Sequence, residues 1–121
     1  MKMENIFVNF TNHPSKYWEK KQRKEALKYG IIRDIPFPAV EPLGDEIYVK
    51  ELAEIYVEKI LRLHPSAVLC QGEFCLAYQV VERLREKGIP VLAACSERRV
   101  RENGQKKEVI FSFRQFRKYG N

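Results

Sequence analysis

The stretch SAVLCQGEFCLAYQVVERLREKGIPVLAAC, residues 66–95, decides the fold. It begins as a short apolar strand, Ser66 to Cys70, and turns through Gln-Gly-Glu into a helix whose apolar side chains recur at helical spacing on one face. Gly88 ends that helix, and Ile89 to Cys95 follows as a strand that is apolar on both faces, as interior parallel strands are. This order of strand, helix and strand predicts a right-handed crossover between two parallel strands.

The residues before this stretch alternate in the same way. We predict strands at 5–10 and 31–35, a helix from about Lys16 to Tyr29 that ends at Gly30, and a long helix from Asp45 to about Leu63. The pattern predicts an α/β fold, a small Rossmann-like parallel sheet with helices on both faces. The predicted strand order is second, first, third and fourth, which is the flavodoxin-like arrangement.

The segment after Cys95 predicts a C-terminal antiparallel β-hairpin extension. Ser96 to Glu102 stays extended, Asn103-Gly104 is a two-residue turn signal in which both residues favour positive φ, and Glu108 to Phe116 returns. Eight basic and three acidic residues lie from Glu97 onward, a balance that suits a polyanionic ligand or, equally, a solvated hairpin. Because an exposed aromatic edge strand tends to aggregate unless a second subunit covers it, we expect a homodimer.

Length and composition exclude several classes of protein. The 121 residues, 45% of them hydrophobic, predict one domain over residues 1–121 and exclude a two-domain enzyme. No run approaches the roughly 18 apolar residues of a membrane span, and the first ten residues lack a secretory leader pattern, so we expect a cytoplasmic protein. Three cysteines without CxxC spacing and two distant histidines predict packed thiols, no metal site and no cofactor. Neither GxGxxG nor a P-loop is present.

Polar residues follow three of the predicted parallel strands at their carboxyl ends, where open α/β sheets bind ligands. We expect one pocket for a phosphorylated ligand, in which the first loop cradles an anion at a helix N-terminus. Helix capping alone also explains two of its hydroxyls, and the nearby aromatic residues Tyr17, Trp18 and Phe37 are suited either to stacking on a base or to core packing. The candidate ligand-binding and catalytic residues are Asn9, Thr11, Asn12, His13 and Ser15 in the first loop, Gln71, Gly72 and Glu73 in the second, and Ser96 and Arg98 in the third.

Three of these residues carry alternative interpretations. His13 lies in a loop without apolar periodicity and is a candidate for proton transfer. Either Arg98 or Arg99 can clamp a phosphate, since neighbouring residues of a strand point to opposite faces. Glu73 is either a dipole partner of the third helix or a nucleophile toward a nucleoside sugar.

Four segments together, NFTNHPS, QGEF, ACSERRV and FSFRQFRKY, resemble small Rossmann-like proteins of CRISPR-associated antiviral defence, the group of CARF-type sensors and ring nucleases. The resemblance implies a homodimer that binds cyclic tetra- or hexa-adenylate on its two-fold axis, and possible metal-independent cleavage of that ring. It implies phosphate stabilisation by Arg98, proton transfer by His13, and orientation of the ligand by Asn12, Ser15 and Thr11.

Other functions remain open on the sequence. A sensor or sponge would bind the cyclic nucleotide without cleaving it. An enzyme resembling the nucleoside deoxyribosyltransferases would use Glu73 as its nucleophile. Direct binding of DNA or RNA by the basic C-terminal segment is a weaker third alternative.

Overall fold

The fold combines one five-stranded sheet with three helices, seen in a computed structural model that describes residues 4–121. The strands stand in the order β2-β1-β3-β4-β5, in which the first four run parallel and β5 is antiparallel to β4. The predicted α/β class and antiparallel C-terminal pair are therefore confirmed. The elements are β1 (Ile6–Phe10), α1 (Lys20–Leu27), β2 (Ile31–Asp34), α2 (Glu46–Leu61), β3 (Ala67–Cys70), α3 (Phe74–Glu86), β4 (Val91–Asn103) and β5 (Lys106–Lys118).

Two apolar clusters form, one on each face of the sheet. Side chains alternate along β1, so that Phe7 joins the cluster that includes Ala26 of α1, whereas Val8 joins the cluster that includes α2 and α3. The strands β1 and β3 are buried on both faces, which explains why all of their residues except Asn9 are apolar. Among residues 4–121, no helix is both long enough and apolar enough to cross a lipid bilayer.

The first helix begins later than the sequence predicts. A short 3-10 turn, Ser15–Tyr17, is followed by Trp18 in an extended conformation (φ −69°, ψ 150°), and α1 starts only at Lys20. The Trp18 side chain is buried with its ring centroid 6.3 Å from that of Phe7. Burial of the indole against the sheet therefore interrupts what local pattern predicts as one continuous helix. The prediction of a helix from about Lys16 to Tyr29 is wrong at its start.

The hairpin also differs in detail from its prediction. The strand β4 continues without interruption to Asn103, which pairs with Lys106, and the two-residue turn is Gly104-Gln105. Gly104 has φ +67°, so the glycine alone supplies the left-handed conformation that we expected from both Asn103 and Gly104. A bulge between Cys95 and Ser96 shifts the register at the base of the hairpin.

Candidate functional site

A cavity of about 490 Å³ lies where the β4–β5 hairpin meets the carboxyl end of β3 and the segment between β1 and α1. Its volume falls within the usual range of about 300–1,000 Å³ for small-molecule pockets. Four candidate residues from all three predicted loops line it, namely Thr11, His13, Gln71 and Ser96. The lining is completed by Pro14, Tyr17, Trp18, Glu19, Gln22, Leu69, Ala94, Phe111 and Phe113.

The main chain of His13 is fixed by its neighbours. Its carbonyl oxygen accepts hydrogen bonds from Asn9 Nδ2 and Trp18 Nε1, both at 2.9 Å. Its backbone N–H donates to Thr11 Oγ1 at 3.1 Å, and that hydroxyl donates to Asn9 Oδ1 at 2.8 Å. Asn9 and Thr11 are buried, whereas His13 is exposed on the cavity wall. Asn9 and Thr11 thus hold the loop that carries the imidazole. Asn9 does so without lining the cavity itself.

Asp34, at the end of β2, completes this network and is absent from the candidates chosen on sequence. Its carboxylate accepts hydrogen bonds from Asn9 Nδ2 at 3.0 Å and from the backbone N–H and hydroxyl of Ser15, both at 3.1 Å. Asp34 is also the register partner of Asn9 in the parallel pair. Asp34 is the last residue of β2. The rule that ligands bind at the carboxyl ends of parallel strands therefore points to Asp34 as well, once it is applied to β2.

The first loop does not lead directly into the N-terminus of α1, as the expected anion cradle requires. The loop leads into a three-residue 3-10 turn without a side-chain cap, and Ser15 directs its N–H and hydroxyl to Asp34. Thr11 caps no helix either, since its hydroxyl donates to Asn9 Oδ1 and accepts the His13 N–H. Asn12 is exposed and lies outside the cavity lining.

The second loop divides between cavity and scaffold. Gln71 lines the cavity, and its Oε1 accepts a hydrogen bond from the Ala94 N–H at 3.0 Å, which orients the side-chain amide. Gly72 instead packs against the buried Phe37 ring, where an added Cβ would lie 2.5 Å from ring carbon atoms. Phe37 belongs to the cluster of α2 and α3 and contacts Phe10, so it is a core residue. Gly72 and Phe37 therefore lie outside the cavity lining.

Glu73 caps α3. One carboxylate oxygen accepts the Leu76 N–H at 2.8 Å, the other accepts the Cys75 N–H at 3.0 Å, and these backbone hydrogen bonds lower the pKa of Glu73. The hydrogen bond and charge of Glu73 in turn raise the pKa of the Cys75 thiol, which is exposed. The expectation that all three thiols are packed is wrong for Cys75, whereas Cys70 is buried and desolvation raises its pKa to about 12.

The strand register places Arg98 on the cavity face of the hairpin. Cross-strand partners share a face, and Ser96 pairs with Phe113 while Arg98 pairs with Phe111, both of which line the cavity. Arg98 is two residues beyond Ser96 on the same face of β4 and is not itself a lining residue of the cavity. Arg99 projects from the opposite face, with its guanidinium 3.5 Å from the Glu97 carboxylate.

The Glu97 carboxylate is held chiefly by another arginine. Arg114 Nε donates to Glu97 Oε2 at 2.7 Å, and the hydrogen bond and charge of Arg114, followed by the charge of Arg99, lower the pKa of Glu97. Part of the basic charge of the hairpin is therefore paired on the face away from the cavity.

Aromatic side chains form much of the cavity surface. Trp18 and Phe113 are buried in its wall, whereas Tyr17 and Phe111 are 76% and 62% exposed. The sequence does not indicate that Phe111 and Phe113 belong to the site, because the pairing that brings this hairpin to the first loop is long-range. Glu19 and Gln22 were missed for the same reason. Within residues 4–121, no group of three or more His, Cys, Asp or Glu side chains is placed to hold a metal ion.

Comparison with known proteins identifies a family that covers most of the chain. The model of the uncharacterized protein MJ1673 family matches residues 5–117. No curated protein and no solved structure matches the chain.

Proposed function

We propose, for a chain that belongs to the uncharacterized protein MJ1673 family, that the cavity binds a phosphorylated nucleotide and that the ligand is a cyclic oligoadenylate. The observation that carries the proposal is the convergence of Thr11, His13, Gln71 and Ser96 from three distant segments on one aromatic-walled cavity. Hydroxyl, amide and imidazole groups suit the ribose and phosphate of a nucleotide, and exposed aromatic rings suit its base.

The cavity divides into parts with different chemistry. Tyr17 and Phe111 offer exposed rings on which a base can stack, and such stacking contributes about 1–3 kcal/mol per base. Arg98 lies on the hairpin face beyond Ser96 and supplies the positive charge for a phosphate. Positioning and charge stabilisation account for most of the catalysis expected at a site of this composition.

Cleavage of the ring would follow from this placement. A ribose 2′-hydroxyl attacks the adjacent phosphorus, the bond from phosphorus to the 5′-oxygen breaks, and a 2′,3′-cyclic phosphate and a 5′-hydroxyl form. One proton leaves the 2′-hydroxyl and one reaches the 5′-oxygen, so the reaction needs no further reactant. His13 is the residue that we assign to this proton transfer, because its backbone is fixed while its ring borders the cavity.

A homodimer belongs to this proposal. A cavity of about 490 Å³ suits one small ligand, so a ring of four or six nucleotides requires a second copy of the chain. The hairpin supports an isologous contact, because Val100 and Val109 face each other across its strands and are both exposed. The strand order β2-β1-β3-β4 supports the Rossmann-like part of the proposal. The free cysteines, including exposed Cys75, support a reducing, cytoplasmic location.

The sugar-chemistry alternative has less support. Glu73 would have to act as the nucleophile, yet both of its oxygens accept backbone N–H groups of α3 and it lies outside the cavity lining. This alternative predicts that Glu73→Gln abolishes nucleoside turnover and leaves the affinity for the nucleoside unchanged.

Calorimetric titration with cyclic tetra-adenylate and cyclic hexa-adenylate, followed by mass spectrometry of the mixture, tests the proposal. We expect binding by at least one ring, and a weakening of about tenfold or more in Arg98→Ala, since hydrogen bonds to charged groups contribute about 1.5–3 kcal/mol. The matched control is Arg99→Ala, on the opposite face, which should bind like the parent chain. His13→Ala should bind the ring and leave it uncut. If neither ring binds, the proposal is contradicted. If a ring binds and no cleavage product forms, the protein is a sensor.

A further inference from the structure

A second groove, the α2–α3 groove, lies on the other face of the sheet, at the N-terminal ends of α2 and α3. Its volume is about 390 Å³. Two aromatic side chains one helical turn apart on α3, Phe74 and Tyr78, line it and are 90% and 68% exposed. Neighbouring exposed aromatic rings in a groove are typical of an interaction surface. The other lining residues are Gly44, Asp45, Glu46, Val49, Cys75 and Gln79.

This groove is acidic. The charged residues of its lining are Asp45 and Glu46, and Glu73 lies beside it as the N-cap of α3. The pKa of the Cys75 thiol is raised chiefly by the hydrogen bond and charge of Glu73 and also by the charge of Glu46, so carboxylates of both helices act at this place. Residues 41–58, which include most of α2, hold six acidic residues and one basic residue. A complementary partner therefore offers apolar side chains together with positive charge.

The β4–β5 hairpin has this composition. Residues 97–118 hold eight basic and three acidic residues. Val100 and Val109 are cross-strand partners, and Phe111 follows two residues later on the same face; all three side chains are exposed. One copy of the chain thus carries an acidic groove with open aromatic rings and a basic hairpin with open apolar side chains.

The hairpin is long enough to reach another molecule. Among residues 4–121, β3 pairs with β4 at Val91 and Leu92. The eight residues from 96 to 103 continue β4 beyond that pairing by roughly 27 Å, at about 3.4 Å per residue. No residue of the hairpin is among those that line the α2–α3 groove of the described chain, so the two surfaces leave each other open within one copy.

Charge decides which surfaces of two copies fit together. Two grooves that met would place carboxylates against carboxylates, and two hairpins alone would bring two positively charged segments together, an arrangement that costs free energy at an interface. A hairpin against a groove places opposite charges together and covers both sets of apolar side chains. When each copy gives its hairpin to the groove of the other, both copies bury the same patches and the contact closes as a two-fold.

We propose that the basic β4–β5 hairpin of one copy docks in the acidic α2–α3 groove of a second copy, and that two such reciprocal contacts form the dimer. This inference rests on the homodimer of the proposed function and names its contact surface. The valine and phenylalanine side chains of the hairpin cover Phe74 and Tyr78. The basic residues at the tip, Lys106 and Lys107, pair with the acidic residues of α2.

Two charge-reversal variants and their mixture test this contact by sedimentation equilibrium at low ionic strength. The groove variant carries Glu46→Lys with Glu51→Lys, and the hairpin variant carries Lys106→Glu with Lys107→Glu; all four positions are exposed. Each variant alone should dimerise about tenfold or more weakly than the parent chain, because its reversed patch repels the unchanged patch of the other copy. An equimolar mixture should dimerise like the parent, since every hairpin then meets a groove of opposite charge.

Matched controls separate this contact from a general effect of charge or of apolar surface. Glu82→Lys with Glu86→Lys makes the same charge change on α3 outside the groove lining and should leave the dimer unchanged. Phe74→Ser should weaken the dimer by about tenfold or more, the effect expected when one phenylalanine is no longer buried at the contact. Leu27→Ser, at the exposed end of α1, should not weaken it. Circular dichroism checks that each variant is folded.

The outcomes also separate this inference from the proposed ligand. A parent chain that remains monomeric at low ionic strength overturns the contact, as does a groove variant that dimerises like the parent or a mixture that associates as weakly as its components. Should a charge variant fail to fold, equal dimerisation of Phe74→Ser and Leu27→Ser overturns it. A chain that dimerises through these patches but binds neither cyclic oligoadenylate in calorimetry contradicts the ligand and supports the contact. A chain that binds a ring as a monomer supports the ligand and contradicts the contact.

Discussion

Replacing Asn9 by aspartate tests the buried network that fixes the His13 loop. The substitution keeps the shape of the side chain and exchanges its amide donor for an oxygen. That donor now supplies two hydrogen bonds, to the His13 carbonyl at 2.9 Å and to the Asp34 carboxylate at 3.0 Å. Asn9→Asp therefore removes both hydrogen bonds and places two carboxylates in contact at a buried position.

The expected loss of stability is about 4 kcal/mol at pH 7. Two hydrogen bonds contribute about 1 kcal/mol each. Two unit charges at 3.0 Å repel by about 5 kcal/mol at an effective dielectric constant of about 20, and solvent around the exposed Asp34 reduces this to about 2 kcal/mol. A deficit of this size is a large part of the 5–15 kcal/mol that stabilises a typical domain.

The stability that Asn9→Asp loses should also depend on pH, and the loss should be larger at pH 7 than at pH 4. Two carboxylates that share a site raise the pKa of one of them above its value of about 3.9 in the unfolded chain. A group with a raised pKa in the folded state takes up its proton on acidification and restores a donor between the residues. The variant therefore recovers stability relative to the parent chain as the pH falls to about 4, and loses it again as the pH rises through the raised pKa.

Urea unfolding followed by circular dichroism at pH 4 and pH 7 measures both effects. The control is the exchange variant Asn9→Asp with Asp34→Asn, which returns an amide donor opposite a carboxylate and should recover about three-quarters of the loss, since only the hydrogen bond from residue 9 to the His13 carbonyl stays missing. A deficit below about 1 kcal/mol, or one of equal size at both pH values, would show that the network does not hold the loop.

Three smaller perturbations test other parts of the fold. Gly72→Ala should destabilise by about 1–3 kcal/mol in thermal unfolding, because the new Cβ would lie 2.5 Å from the buried Phe37 ring; an unchanged melting temperature would contradict that packing. Glu73→Gln should speed alkylation of Cys75 by iodoacetamide at pH 8, since it removes the group that raises the pKa of this thiol, and a slower reaction in peptide mapping would refute the contact. Gly104→Ala should cost about 1 kcal/mol in urea unfolding because φ is +67° there, whereas Gly104→Asn should cost less, and equal costs would contradict the turn geometry.

Local sequence signals predict those elements whose stabilising contacts are near in sequence. Asp45 begins the second helix as predicted, accepting the Tyr48 N–H at 2.9 Å, because capping involves residues three positions apart. The apolar face of the third helix is predicted equally well, and Val80, Val81 and Leu84 are buried as their spacing indicates. The hairpin turn is displaced by one residue, since Gly104 satisfies its backbone requirement without help from Asn103.

The sequence by itself determined the alternation of strands and helices, the parallel part of the sheet and the three loops that carry polar residues, because periodicity, caps and glycines act over a few residues. Only the tertiary structure decided that Trp18 interrupts the first helix, that Asp34 holds the His13 loop and that Glu19 reaches Phe113. These contacts join residues that are distant in the chain, and burial of an indole or pairing of a carboxylate outweighs local preferences of less than about 1 kcal/mol per residue.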